Sequence, residues 1–288
     1  MSKQTWLKNA SFTELTPRER LDALLGGSLR ELLGPFARVS SPWLALQGLM
    51  AQTDDGVIVG TGVFAERPMV VAAIEPAFEG GSIGEVGGTK IATMLELAAE
   101  SCRDGVPIAA LLLIESGGVR LGEANLGLSA IARIQRAIVA LRQLAPVVAL
   151  VAGPTGCFGG MSLAVELCSQ IVGTKHGRLG MNGPEVIEQE AGADEIDSTD
   201  RRQIWKLIGC EARLRDGFID FLAEDTAESV ATELQKAFEC PLRSPQRIAD
   251  AYQRLLQLRE AQRGQDESNS ARSYAKSNEQ IDTEGQRL

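Results

Sequence analysis

The residues best suited to chemistry are the glycines of a passage at positions 147–171. It reads VVALVAGPTGCFGGMSLAVELCSQI. Its first five residues are apolar and mostly β-branched, which predicts a buried strand, and a helix is predicted to start at Gly159 and Gly160. The N–H groups of a helix's first turn point back toward the preceding loop, and glycine lets a ligand approach the backbone. The passage can therefore hold an oxyanion or a phosphate, or its glycines can serve close packing of the helix on the sheet.

A second passage of the same kind lies upstream. A strand predicted at 107–114, PIAALLLI, runs into the loop ESGGVRLGE, which carries Gly117 and Gly118. The amphipathic pattern of residues 124–144 predicts a long helix that leads to the strand at 147. This repeat of strand, Gly-Gly loop and helix predicts parallel βαβ units with both loops at the carboxyl edge of one sheet. Ligands bind at that edge, so the expected chemistry is stabilisation of an enolate or another oxyanion by main-chain N–H groups.

Two segments are expected to form the wall beside these loops. Residues 55–74 contain two runs of β-branched residues and predict a hairpin. Residues 79–99 contain EGGSIGEVGGTK and lead into a helix predicted at 89–99. This third glycine-rich passage is either a connector that packs the helix or a part of a substrate pocket.

The N-terminal segment predicts a helical arm. Thr16, Pro17 and Glu19 form a capping box with proline at the first helical position, and the helix is predicted to end at Gly26. A second short helix is predicted at 28–33. Both would pack on the body of the protein or on a partner.

The composition excludes several classes of protein. The 288 residues are 44% hydrophobic and 23% charged, as in an ordinary globular protein. No apolar run reaches membrane-spanning length, and the N-terminus lacks a signal-peptide pattern, so we expect a cytoplasmic protein. The net charge of −9 argues against a general nucleic-acid surface. The five cysteines form no CxxC pair, which supports neither a disulfide framework nor a zinc ribbon, so buried free thiols are expected.

Two single residues could be mistaken for catalytic groups. His176 is the only histidine, so a metal site or a Ser-His-Asp triad would depend on it entirely. It follows a strand predicted at 170–174, which favours a turn at the surface or at an interface over a catalytic role. Cys157 lies inside the central loop, but no basic group is evident beside it, so a packing role is favoured. No metal site is predicted.

Taken in order, several motifs resemble one family. They are the hairpin with its GGSIGE run, the ESGGVRLGE loop, the GPTGCFGGMS turn and the downstream GRLGMNGPEVIEQEAG. From about residue 17 to the 240s the sequence is similar to the carboxyltransferase branch of the crotonase superfamily, in particular to β subunits of biotin-independent malonate decarboxylases. The resemblance implies an α/β, crotonase-like ββα spiral fold of the carboxyltransferase N-domain type. The expected domains are a helical arm at 1–48, the catalytic domain at 49–262 and a polar, disordered tail at 263–288.

The resemblance also implies a reaction and its partners. A homologous γ subunit would share the active site, and the pair would decarboxylate a malonyl thioester to the acetyl thioester and carbon dioxide. The thioester would be carried on an acyl carrier protein with a dephospho-coenzyme A-type prosthetic group, and an acyl carrier protein transferase would belong to the same complex. No cofactor would be bound directly, and no nucleic acid or membrane is an expected partner. Decarboxylation puts charge on the thioester oxygen and needs no base to start, which suits loops without acid–base residues.

The same resemblance assigns roles to the glycine pairs. Gly159 and Gly160 match the family's oxyanion element at the helix start. Gly117 and Gly118 match the second glycine pair, which would border the thioester or the carboxylate. Each pair could instead be present only for tight turns.

Three other residues are assigned to substrate binding. Gly156 and Phe158 lie in the turn before the helix. Arg120 could bind the malonyl carboxylate in a bidentate manner, or it could brace its loop through Glu115 or Glu123, the interpretation favoured from the residues alone.

Other activities remain open. Enoyl-thioester hydratases carry a carboxylate shortly after the helix start, where this chain has Leu163, so hydratase activity is disfavoured. A carboxyltransferase β subunit of a biotin-dependent acyl-CoA carboxylase would share the fold and both loops. A noncatalytic subunit that stabilises a homologous partner or docks a carrier is the third alternative, with Arg201 and Lys206 on one of the helices that such a partner would meet.

Overall fold

The computed structural model describes residues 10–48, 56–123 and 125–240, together with positions 253, 256, 257, 260 and 263. The chain divides into two compact units, Met1–Leu242 and Arg243–Leu288. In the second unit the described positions are helical. The apolar stripe of residues 245–263 predicts a further helix, and most of it lies outside the described residues, as does the predicted tail beyond position 263. The domain boundaries expected at 48/49 and 262/263 stay predictions.

A mixed sheet of seven strands, ordered in space as they are in the chain, forms the first unit. The strands are β1 (Arg30–Leu32), β2 (Val57–Phe64), β3 (Arg67–Ile74), β4 (Ala109–Leu113), β5 (Val147–Val151), β6 (Gln170–Thr174) and β7 (Phe221–Ala223). The pairs β1–β2 and β2–β3 are antiparallel, and β3 to β7 are parallel neighbours. The structure confirms the predicted hairpin and the parallel βαβ layout.

Helices cover both faces of this sheet. Within residues 10–240 they are α1 (Pro17–Leu25), α2 (Glu85–Arg103), α3 (Asn125–Leu141), α4 (Gly159–Glu166), α5 (Pro184–Ala191), α6 (Arg201–Ile208), α7 (Cys210–Arg215) and α8 (Ala227–Glu239). Leu112 and Ala149 face the core shared with α2, α3 and α4, whereas Leu111 and Val148 face the core shared with α1 and α8. Strands buried on both faces leave the loops at the carboxyl edge of the sheet as the accessible part.

Helix α2 begins earlier than predicted, at Glu85 instead of position 89. Its glycines are compatible with a helix because they serve packing: a methyl group on Gly88 would lie 2.5 Å from the Ala130 Cβ of α3. The first turn is stabilised from a distance, since the Glu85 N–H donates to the Glu123 carboxylate at 2.8 Å. An anionic acceptor at a helix N-terminus is favourable, and here it comes from another loop.

The arm also differs from the prediction in one element. The capping box at Thr16 and Glu19 is confirmed, and α1 ends at Gly26 in a left-handed conformation. Residues 30–32, however, form β1 instead of a second helix, because Arg30 pairs with Thr61 and adds a strand to the hairpin. Pairing with an existing edge satisfies the backbone groups that a short isolated helix would leave exposed.

Membrane and cysteine features are simple. Among the described residues no helix is long and apolar enough to cross a membrane. All five cysteines are free thiols as expected; Cys157, Cys168 and Cys210 are buried, whereas Cys102 and Cys240 are only partly buried, so the expected burial holds for three of them.

Candidate active site

Two loops leave neighbouring strands at the same edge of the sheet. Loop 1 comprises residues 115–123 after β4, and loop 2 comprises residues 152–158 after β5. The Ser116 N–H donates to the Gly156 carbonyl at 2.8 Å, and the Phe158 N–H donates to the Ser116 carbonyl at 2.9 Å. The two loops therefore continue side by side beyond the sheet, as the repeat in the sequence predicted.

The glycine pairs meet where the loops end. A methyl group built on Gly118 would lie 3.4 Å from the Gly159 Cα, and one built on Gly159 would lie 3.4 Å from the Gly118 Cα. Both residues have positive φ angles, 108° and 57°. Gly117 is exposed and Gly159 and Gly160 are partly exposed, so this junction borders the surface of the chain. The positive φ angles favour glycine at both positions, whereas the 3.4 Å distances would be ordinary van der Waals contacts.

Most of the predicted amide donors are already engaged. The Gly117 N–H donates to the Gly80 carbonyl at 3.0 Å, and the Gly159 N–H donates to the Met181 carbonyl at 2.9 Å. The Gly118 N–H donates to the Ser116 hydroxyl at 3.1 Å. These three amides shape the junction, because they hold neighbouring segments together. The catalytic roles of Gly117, Gly118, Gly159 and Gly160 stay predictions.

Two amides at the junction are different. For the N–H groups of Gly160 and Val119, no described residue acts as acceptor. The Gly160 amide belongs to the first turn of α4, whose N–H groups have no partner within the helix. Val119 lies between the Gly118 carbonyl and the Arg120 N–H, which both bond to Ile83. Its own N–H points away from Ile83, because successive amides of an extended chain face opposite sides.

Val119 was missed by the sequence reasoning, which followed glycines only. The sequence signal for Val119 would have been an extended segment after Gly117 and Gly118. In such a segment every second N–H faces the same side. Val119 of loop 1 and Gly160 of α4 therefore each leave one main-chain N–H without an acceptor among the described residues. Removing one such donor costs about 3–4 kcal/mol of transition-state stabilisation in enzymes that use them.

Gly160 also has a packing role. A methyl group there would lie 2.9 Å from the Ile131 Cγ2 of α3. Its carbonyl accepts from the Gln135 side chain at 3.1 Å. The close-packing interpretation of this glycine is therefore true in addition to any role of its amide.

Arg120 braces loop 1. Its guanidinium forms an ion pair with Glu123 at 3.0 Å and donates to the Ser82 carbonyl at 2.9 Å. It also lies 5.3 Å from the centre of the Phe78 ring. The partner is Glu123 and not Glu115, so loop 1 is fastened to the segment before α2. Binding of a substrate carboxylate by Arg120 stays a prediction.

Gly156 and Phe158 lie on the side of loop 2 that faces the body of the protein. Gly156 has a φ of 77°, and a methyl group there would lie 2.9 Å from the Arg178 carbonyl. The ring of Phe158 packs with Ile204 and Ile208 and lies 5.5 Å from the Arg178 guanidinium. These contacts hold loop 2 against α6 and Arg178. A contact with substrate stays a prediction for both residues.

Glu115, at the start of loop 1, is paired with a residue that the sequence did not suggest. It forms an ion pair with Arg20 of α1, and the two side chains are 4% and 5% exposed. The N-terminal arm is therefore attached directly to the base of the loop.

Cys157 and His176, which the sequence analysis did not assign to catalysis, have surroundings that fit roles in packing and in a surface turn. Cys157 is fully buried, and burial raises the pKa of its thiol well above the usual value, so it is no thiolate nucleophile. His176 lies in a turn with its Nε2 3.8 Å from the Asp225 carboxylate. Within the part of the chain that the structure describes, no group of three or more His, Cys, Asp or Glu residues could hold a metal ion.

Four exposed apolar side chains lie on the segments that adjoin the glycine junction, and we call them the apolar rim. Leu163 follows Gly160 by one helical turn, Leu128 precedes Ile131 by one turn, and Met181 accepts the Gly159 N–H. The exposed fractions of the rim are 83% for Leu121, 55% for Leu128, 48% for Leu163 and 58% for Met181. A group of exposed apolar side chains of this kind marks a surface that another molecule covers.

A separate cavity of about 660 Å³ lies at the far side of α2. It is lined by Leu32, Val59, Val70, Met94 and Leu97, among others. None of the residues of the glycine junction lines it, so it belongs to the packing of the arm and hairpin on α2.

Comparisons with known proteins agree with this geometry. Residues 9–249 match the carboxyl transferase domain family. The malonyl-S-ACP:biotin-protein carboxyltransferase MADC of Malonomonas rubra is 37% identical over 254 residues, which cover 83% of this chain and 80% of that protein. The methylmalonyl-CoA carboxyltransferase 12S subunit of Propionibacterium freudenreichii subsp. shermanii is 32% identical over 79% of this chain, which spans only 41% of that longer subunit.

Solved structures include two from Pseudomonas. A chain of a malonate decarboxylase hetero-tetramer in complex with malonate is 55% identical with a TM-score of 0.80, and covers 88% of this chain and 94% of its own length. A chain of the MdcD–MdcE hetero-dimer of malonate decarboxylase is 48% identical with a TM-score of 0.71, and covers 88% and 99%. The family match spans most of the chain, and these likenesses extend over nearly the whole of the related subunits. The chain therefore belongs to the carboxyl transferase domain family, in which it is a carboxyltransferase-type enzyme subunit like those of malonate decarboxylase.

Proposed function

We propose that this chain is the β subunit of a malonate decarboxylase and that it converts a malonyl thioester on an acyl carrier protein to the acetyl thioester and carbon dioxide. The observation that carries the proposal is the pair of amides at the junction of loops 1 and 2. The N–H groups of Val119 and Gly160 have no acceptor among the described residues, and they sit at the helix start and glycine pair of a carboxyltransferase fold.

The proposed chemistry needs little more than these donors. When the C–C bond to the carboxylate breaks, its electron pair moves toward the thioester carbonyl and carbon dioxide leaves. The carbonyl oxygen becomes the oxyanion of an enolate, which two N–H groups stabilise more strongly than the neutral ground state. A proton added at the α carbon then completes the acetyl thioester. Cys157 is buried and protonated, so the proposal involves no covalent intermediate on this chain.

A second subunit of related fold would complete the site. The apolar rim of Leu121, Leu128, Leu163 and Met181 lies on segments that adjoin the junction, and burial of such side chains favours association. The Pseudomonas proteins of similar structure are a hetero-dimer and a hetero-tetramer. In this proposal the γ subunit lies over the rim, excludes water from the enolate and leaves an opening for the carrier's dephospho-coenzyme A-type arm. An acyl carrier protein transferase would be a further member of the complex.

Transfer of the carboxyl group to a biotin-protein is the second candidate function. One observation favours it: the Malonomonas rubra relative, at 37% identity, is a malonyl-S-ACP:biotin-protein carboxyltransferase. The two reactions share the malonyl thioester and the enolate, and they differ in the fate of the carboxyl group. An acyl-CoA carboxylase subunit is less well supported, because this chain spans 34% of a putative propionyl-CoA carboxylase β chain of Bacillus subtilis.

One experiment distinguishes these functions. The chain is purified with the subunits that accompany it, and a malonyl thioester labelled in its free carboxyl group is supplied on the acyl carrier protein, with and without a biotinylated acceptor protein. Release of labelled carbon dioxide without the acceptor supports the decarboxylase. Label that appears only on the biotinylated protein supports the carboxyltransferase instead. Absence of both products from a complete complex that binds the carrier would favour a noncatalytic subunit.

A further inference from the structure

We propose that Arg20 and Glu115 are positioning residues for the active site: their buried ion pair sets the relative placement of the three glycine-rich loops and ties it to the N-terminal arm. As far as the reaction is concerned, this inference rests on the proposed function. Neither residue is placed in contact with substrate, and both act through the backbone of the loops.

Arg20 is held by the arm itself. Its Nε donates to the Phe12 carbonyl at 2.9 Å and one Nη donates to the Thr13 carbonyl at 2.6 Å. The other Nη forms the ion pair with Glu115. The guanidinium also lies 5.7 Å from the centre of the Phe12 ring. Because all three guanidinium nitrogens have partners, Arg20 holds its charge toward Glu115 in one orientation.

Glu115 contacts all three glycine-rich passages. It directly precedes Ser116, whose backbone bonds to loop 2. A methyl group on Gly153, at the start of loop 2, would overlap the Glu115 carboxylate. One on Gly81, in the passage before α2, would overlap the Glu115 carbonyl. Any displacement of Glu115 is therefore transmitted to loop 1, loop 2 and the passage that bonds to Gly117.

The ion pair is surrounded by apolar side chains from the carboxyl ends of three parallel strands. The side chains beside it include Ile74 of β3, Leu113 of β4 and Leu150 of β5. Apolar residues of similar volume often stabilise a core as well as a buried ion pair does, so stability alone does not require charges at this place. A fixed geometry is the property that the pair supplies and an apolar contact does not.

The first experiment separates the effect of the ion pair on the placement of the loops from its effect on the stability of the fold. Replacing Arg20 alone leaves a buried carboxylate without its partner, so Arg20→Met can fail to fold. The double variant Arg20→Met/Glu115→Met removes both charges at similar volume. We expect it to unfold within about 5 °C of the parent and to retain less than a tenth of the parent's kcat, with KM changed less than threefold. Arg20→Lys keeps the positive charge and loses the planar guanidinium with its several N–H donors. Its kcat should lie between those of the parent and the double variant.

A matched control comes from the same helix. Arg18 forms an exposed ion pair with Glu31 at 2.9 Å, with side chains 41% and 26% exposed. Arg18→Met should leave kcat within a factor of two of the parent. A double variant with parental kcat, or a loss of kcat in Arg18→Met equal to that in the double variant, would overturn the proposal.

The second experiment does not depend on the reaction. Amide hydrogen exchange is measured in the double variant and in Arg18→Met, for residues 116–119, for residues 156–160 and for residues 95–103 of α2, which pack in the core on the other face of the sheet from α1. Positioning by the pair predicts exchange at least tenfold faster in both loops of the double variant, with residues 95–103 unchanged. Unchanged exchange in both loops would overturn the positioning role. If the parent complex proves inactive toward malonyl thioester, the proposed function fails, and the exchange result still decides the role of the pair.

Discussion

Gly118 of loop 1 and Gly159, the first residue of α4, lie close together: a methyl group built on either residue would lie at van der Waals distance, 3.4 Å, from the Cα of the other. Two strands that are neighbours in the sheet thus deliver their loops to one point. The amides that flank this contact, those of Val119 and Gly160, have no acceptor among the described residues, whereas the amides of Gly118 and Gly159 hold the loops in place. The contact shapes the site, and its neighbours are the proposed donors.

The role of Gly160 in packing can be separated from the role of its amide. Gly160→Ala places a methyl group 2.9 Å from the Ile131 Cγ2, which should lower the free energy of unfolding by about 1–3 kcal/mol. In Gly160→Ala/Ile131→Ala the new methyl group occupies space that the isoleucine leaves. We expect the double variant to be more stable than the sum of the single effects by at least about 1 kcal/mol, measured by urea unfolding. Because alanine keeps the N–H, its kcat should stay within threefold of that of Ile131→Ala, and simple additivity would contradict the packing contact.

Arg120 should act as a brace. Arg120→Met removes the ion-pair partner of Glu123, which is 9% exposed and whose carboxylate keeps only its bond from the Glu85 N–H among the described residues, and we expect a loss of about 3 kcal/mol in unfolding free energy. Arg136→Met is the control, since its ion pair with Glu96 leaves the arginine 75% exposed and should contribute about 0.5 kcal/mol or less. Urea unfolding of both variants tests this difference. Unchanged stability in Arg120→Met, together with a KM for malonyl thioester raised more than tenfold, would assign Arg120 to the substrate instead.

The buried thiols predict a loss of stability at alkaline pH. Burial raises the pKa of Cys210 from 9.0 to about 12 in the folded protein. The folded chain therefore keeps a proton that the unfolded chain loses, so stability is full below about pH 8.5 and falls above it by about 1.4 kcal/mol per pH unit and per buried thiol. Unfolding curves at pH 8, 9 and 10 should show this slope. Cys210→Ala should make the fall in unfolding free energy smaller by about 1.4 kcal/mol per pH unit, the contribution of one buried thiol. A variant with the parental slope would contradict the shift.

Much of the fold could be predicted from the sequence because its signals are local. The apolar strands β4 and β5, the stripe of α3 and the capping box at Thr16 depend on residues close together in the chain. The convergence of the two loops follows from the repeated strand–loop–helix order alone.

The parts that could not be predicted depend on distant partners. Arg20 and Glu115 are 95 positions apart, so the sequence offered Arg120 as the nearer partner for Glu115. The early start of α2 depends on Glu123, 38 positions away from Glu85. β1 replaces a short predicted helix because β2 offers an edge to pair with. Which amides remain unbonded at the junction depends on acceptors such as Gly80 and Met181, which no local pattern connects to the glycine pairs.

The most direct measurement compares two glycine substitutions in malonyl-thioester decarboxylation. Gly118 and Gly192 have similar φ angles, 108° and 98°, so alanine introduces comparable backbone strain of about 1–3 kcal/mol at both positions. At Gly192 the new methyl group would meet nothing within 4 Å, whereas at Gly118 it would lie 3.3 Å from the Phe158 carbonyl, a tight contact. We expect loop 1 to shift in response and to carry the adjoining Val119 amide with it. If the amides of Val119 in loop 1 and Gly160 in α4 together stabilise the enolate oxygen, Gly118→Ala should lower kcat about 100-fold and Gly192→Ala should leave it nearly unchanged. Equal kcat values for the two folded variants would contradict the account.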